Sequence, residues 1–133
     1  MNLRAAGIGV LLLAVGLTAA AQESPYEQTL QKMIGALDKI GEELKKIVDE
    51  QSAAAARPEL KTQASAWLDA KTKAEKLQPP EKDEKLRLEK AYRPKLEKAL
   101  QTVNLERRRV ASVPGGKDAL QEIAGIFERP SKK

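Results

Sequence analysis

The chain has 133 residues with no cysteine and no histidine, and its 24 lysines and arginines against 19 aspartates and glutamates give a net charge of +5. The two absences exclude Ser-His-Asp and Cys-His catalysis, zinc sites built on thiolate or imidazole, histidine-ligated haem and any disulfide framework. With 32% of residues charged, so small a net charge points to a solvated surface and not to a nucleic-acid partner.

Residues 2–21, NLRAAGIGVLLLAVGLTAAA, set Arg4 ahead of an apolar run from Ile8 to Leu17 and close on Ala19-Ala20-Ala21. This is the layout of a secretory signal with an A-x-A cleavage site. Residues 1–21 are therefore expected to be removed, leaving residues 22–133 as a single exported helical domain, periplasmic or secreted. The apolar run is too short, and too diluted by glycine and alanine, for an uncleaved span of ~20 apolar residues. No transmembrane segment is expected in the mature chain.

Beyond the signal the sequence is rich in Ala, Leu, Glu, Lys and Gln and shows no sustained alternation of apolar and polar residues, which predicts an all-α fold. Ser24 as cap and Pro25 in the first turn open a first helix expected over residues 25–52. Tyr26, Leu30, Met33, Leu37, Ile40, Leu44 and Ile47 repeat at steps of four and three, a coiled-coil-like seam. Leu30 to Ile47 of this series form a candidate interaction seam, which can pack on its own chain, on a second copy or on another protein. Gly35 and Gly41 weaken the helix by about 1 kcal/mol each, or permit a neighbouring helix to come close.

"SAAAARP" follows, and because Pro58 disfavours helical geometry at Arg57, a bend is expected there. The second helix is then placed at 58–77, with Leu60, Ala64, Trp67, Leu68, Ala74 and Leu77, and Pro79-Pro80 end it. The third is expected over 80–111, with acidic residues in its first turn, Arg107, Arg108 and Arg109 in its last, and a seam of Leu88, Tyr92, Leu96, Ala99, Val103, Glu106 and Val110. Pro94 interrupts that seam, and the continuing spacing predicts a kinked helix, not two helices. "VPGGKD" is a turn into a last helix over 117–128 carrying Leu120, Ile123, Ala124 and Phe127. The expected architecture is a long antiparallel helical hairpin or three- to four-helix bundle with a proline-kinked third helix.

Few residues carry chemistry. Met33 is core, since Met1 leaves with the signal and no second soft ligand remains. Glu106 is the one seam carboxylate, read as an end-of-helix residue paired with an arginine or reaching solvent. Glu42–Lys46, Asp69–Lys73, Glu81–Lys85 and Glu89–Arg93 have the spacing of solvated helix-face pairs. "PGGK" lacks both the preceding strand and the Lys-Ser/Thr of a phosphate loop. Arg107, Arg108 and Arg109 are a candidate anion contact, set against simple compensation of the helix dipole. Residues 26–50 hold six acidic and four basic residues, and residues 80–111 six acidic and ten basic, which favours the first and third helices lying side by side. No catalytic, cofactor or metal residue is assigned.

The order of signal segment, long amphipathic helix, "KLQPPEKDEKLRLEKAYRPKLEKAL" and "VPGGKDAL" resembles a group of small, uncharacterised exported bacterial helical-bundle proteins. The resemblance covers most of the mature chain and implies no known activity or site. A looser similarity, at the level of the fold, is to periplasmic helical chaperones of the cradle type. Their Leu-Thr-x-x-Gln motif is absent, "QTLQ" at 28–31 being a poor substitute. The expected function is non-enzymatic, through contact with an unknown protein partner or by self-association in the cell envelope or periplasm. A periplasmic holdase chaperone or envelope stress protein is the second expectation, and a small-ligand or anion-binding bundle the third.

Overall fold

Ser24 starts the first helix as its side-chain chemistry suggests: its hydroxyl accepts the Glu27 backbone N–H at 3.0 Å, and Pro25 stands in the first turn. In the computed structural model, which describes residues 23–127, α1 spans Pro25–Lys45, α2 Glu50–Lys76, α3 Lys82–Val110, α4 Gly116–Gln121 and α5 Ala124–Phe127. No strand occurs among the described residues, and none of their helices is long and apolar enough to cross a membrane. The fold is all-α, as expected. The expected signal segment and the tail from residue 128 lie outside the described residues.

The boundary between the first two helices corrects the sequence expectation. It falls at residues 46–49 and not near Pro58, because Asp49 and Ser52 form a reciprocal cap: the Asp49 carboxylate accepts the Ser52 N–H at 2.8 Å, and Ser52 Oγ accepts the Asp49 N–H at 3.0 Å. α2 then runs through Pro58 with Arg57 helical. Pro58 and Ala54, whose carbonyl loses its helical partner, are both exposed, so water can take the freed acceptor. The same holds in α3, which continues through Pro94 as expected; Pro94 and Lys90 are exposed. The predicted last helix is two short ones, the second ending at Phe127 within the described residues.

α1 lies between α2 and α3, which make little contact with each other. α1 and α2 form the antiparallel hairpin, while α3 returns parallel to α1, matching Glu27 with Arg87, Gly41 with Thr102 and Leu44 with Arg109. This central position widens the buried part of α1 beyond a two-residue seam. Leu37, Ile40, Leu44 and Ile47 are fully buried; on the α3 flank Glu27, Ile34 and Gly41 are buried as well, and on the opposite flank Thr29 and Ala36. Gly41 allows the close approach, since a Cβ there would stand 3.2 Å from the Thr102 methyl carbon, whereas nothing lies within 4 Å of one at Gly35.

The main core sits at one end of the molecule. There Ile40 and Leu44 of α1 and Ile47 of the connection after it meet Ala53, Ala56 and Leu60 of α2, Val103 and Val110 of α3, and Ala119 and Ile123 from the C-terminal segment. Each fully buried leucine or isoleucine contributes about 1.5–3 kcal/mol. α4 packs on α2 and α3 and α5 on α2, and together they close this end. The turn that brings them there needs Gly115 at φ +77° and Gly116 against the Val110 carbonyl oxygen, which a Cβ would overlap.

Gly116→Ala is expected to lose about 2–4 kcal/mol through this overlap. Gly35→Ala, at an interior helical position with open space, is expected to gain about 0.5–1 kcal/mol. Urea denaturation midpoints of the two variants measure both effects, and their opposite signs test the closed end.

Candidate functional site

The other end of the molecule, where α1 and α3 begin and α2 finishes, has no covering helix among the described residues. It holds a groove of about 340 Å³ between the first turns of α1, the Pro79-Pro80 connection and α3. Tyr26 and Leu30 come from α1, and Leu88, Tyr92 and Leu96 from α3, with Lys85, Glu89 and Arg93 along the rim. The volume lies at the lower end of the range for small-ligand sites, and the lining is apolar with a few polar groups. Helical phase accounts for the place of the groove. Leu96 and Arg107 are eleven residues apart, three turns, and therefore share one face of α3. The Arg107 guanidinium lies 3.9 Å from the centre of the Phe127 ring of α5, whereas Leu96 opens on the groove. The groove thus lies on the α3 face that, three turns on, presents Arg107 to Phe127.

Its wall is fixed by a polar network that the sequence reading missed. Glu27 is 6% exposed and accepts from the Arg87 guanidinium at 2.8 Å and from the Tyr92 hydroxyl at 2.7 Å. Gln31 donates to the same hydroxyl at 2.6 Å, and Arg87 also reaches Glu84 at 2.8 Å. Arg87, and after it Tyr92, hold the Glu27 carboxyl below the ordinary carboxylate range, while the Glu27 carboxylate pushes the Tyr92 phenol up. A buried carboxylate with two charge-assisted or hydroxyl donors is satisfied, and it orients the Tyr92 ring. Ser24-x-x-Glu27 has the capping-box spacing, which offered a local explanation for Glu27. The contrary signal was the series Glu27, Ile34, Gly41, a seven-residue repeat beside the main seam.

The sequence-derived candidates divide between the two ends. Leu37, Ile40, Leu44 and Ile47 are core residues, whereas Leu30 and Met33 are partly exposed at the open end, Leu30 in the groove itself. The three arginines are not brought together as one site. Arg107 stacks on Phe127 and bonds Asn104 at 3.0 Å, and Arg108 is exposed. Arg109 donates to the Leu44 and Ile47 carbonyls, each at 2.8 Å, and to Glu106 at 2.8 Å. Its charge therefore compensates the C-terminus of α1, a neighbouring helix, as well as its own. Glu106 pairs with an arginine, as expected. The four expected i,i+4 pairs are not among the ion pairs; Lys46 pairs instead with Glu43 at 2.8 Å.

Comparison with protein-family models, with curated proteins and with solved structures found no match to this chain.

A lowered carboxyl pKa means that the unfolded chain binds more protons between the folded and unfolded values, so the stabilisation by ionised Glu27 is present above the unfolded value and disappears as pH falls through the folded one. Glu27→Gln is expected to cost about 1–3 kcal/mol at neutral pH. The difference from wild type should shrink once pH drops below about 4.3, the ordinary glutamate value. Thermal melts of both proteins from neutral to acid pH measure it; a constant difference would mean that Glu27 is not held as an ion.

Proposed function

We propose that this protein is a non-enzymatic, exported helical protein that acts by contact with another protein, through the groove at its open end. The observation that carries the reading is the composition of that groove. Tyr26 and Tyr92, two prolines and three leucines stand beside two cationic side chains, on the α3 face that three turns on meets Phe127 through Arg107. Protein interfaces concentrate aromatic side chains and arginine in this manner, and they are strongest where a fixed aromatic wall excludes water. The missing histidine and cysteine support a role other than nucleophilic or thiolate chemistry. Export is supported by the layout of residues 1–21.

A photoreactive amino acid in place of Leu96 is expected to give a covalent adduct of one discrete mass when the full chain is expressed in a bacterial host. The same group in place of the exposed Ala55 should give none. Light scattering after size exclusion separates a partner from self-association, and the intact mass of the exported protein should begin at Gln22. Absence of any adduct from position 96, with the protein folded and monomeric, would remove the basis of the reading.

A further inference from the structure

We propose that the groove receives a helix of about three turns from the partner, with apolar residues at i, i+4 and i+7 and acidic residues on its flank. This rests on the contact reading above and specifies the chemistry of what is contacted.

Length comes first. The part of α3 that lines the groove, from Lys85 to Leu96, covers ~16 Å at 1.5 Å per residue, which matches three turns of a partner helix and its i to i+7 anchors. Shape points the same way. Three turns on, the same face presents Arg107 to Phe127 of α5, itself a helical turn, and among the described residues there is no sheet edge to recruit an extended peptide. The receiving wall is already ordered, because Glu27 and Gln31 both bond the Tyr92 hydroxyl. Less conformational freedom is then lost on binding.

Charge identifies the flank. Lys85 and Arg93 lie on the rim eight residues apart, ~12 Å along the helix. Neither has a carboxylate within ion-pair distance among the described residues, whereas Arg57, Arg87 and Arg109 each have one. Glu89 stands between Lys85 and Arg93 and is likewise outside the ion pairs. A partner carrying acidic residues seven or eight positions apart, with a neutral or basic residue between them, complements this row.

The test uses the full mature protein and two labelled synthetic peptides that share leucines at i, i+4 and i+7. One carries glutamates on the flank and the other lysines at the same positions. Fluorescence anisotropy should show the glutamate peptide binding at least about ten-fold more tightly. The order should reverse in the Lys85→Glu, Arg93→Glu double variant, whose exposed positions leave the thermal transition in place. Equal binding of the two peptides, no binding of either, or saturable binding of laurate alone would overturn the proposal, the last in favour of a small amphipathic anion. Self-association abolished by Leu96→Asp would overturn it in favour of a second copy. If the peptides fail while position 96 still gives its discrete adduct, the helix chemistry falls and the contact reading stands; if both fail, both fall.

Discussion

The parallel alignment of α1 and α3 is the constraint on which the rest of this structure depends. Two short connections make three long helices pass up, down and up, so the first and third must point the same way. Parallel neighbours place like ends of their dipoles together, two partial positive charges at one end of the molecule and two partial negative charges at the other. The charged residues answer this arrangement. Glu27 in the first turn of α1 and Asp83 and Glu84 in the first turn of α3 occupy the positive end, and Lys45 with Arg107, Arg108 and Arg109 the negative one. Arg109 makes the compensation specific by donating to two carbonyls at the end of the neighbouring helix.

The two ends are consequently held by different forces. At the closed end, removal of apolar side chains from water dominates, with alanines on α2 allowing the helices to come close and α4 and α5 sealing the result. At the open end a buried carboxylate and its donors join α1 to α3. The described segment from Gly116 to Phe127 extends at most ~18 Å as helix, while α3 extends ~43 Å, so it can lie along less than half the length of α3.

How far this was legible in the sequence depends on whether the cause was local or tertiary. The all-α class, the start of α1 and the burial of Leu37, Ile40, Leu44 and Ile47 follow from capping chemistry and spacing, and the opposite net charges of helices one and three were a sound indication that they pack together. The break at Pro58 was misplaced because Pro58 and Ala54 are both exposed, so water can take the freed acceptor and offset part of the cost of a helical proline. Asp49-x-x-Ser52 held the true boundary, with serine in the place usually given to glutamate or glutamine in the capping pattern. Glu27 and Arg109 were not legible as tertiary residues, because each also satisfied a local rule: an acid in the first turn and a base in the last.

Those two residues show why a local rule can be obeyed and still say little about role. A side chain that suits the dipole of its own helix also suits the dipole of a parallel neighbour, so the packing of α1 on α3 recruits both at no added conflict of charge. For Arg109 the recruitment gives the Ile47 carbonyl a donor and the Leu44 carbonyl a second one beside the Ile47 N–H. For Glu27 it does more. With the carboxylate drawn toward α3, Tyr92 is oriented by its hydroxyl, and the ring forms one wall of an apolar groove that no other described helix covers. An apolar residue in place of Glu27 could join the helices equally well, but it would leave the tyrosine hydroxyl without its carboxylate acceptor and held by Gln31 alone. The polar network therefore belongs to the groove as much as to the fold, and it makes this end a defined surface instead of an incomplete core.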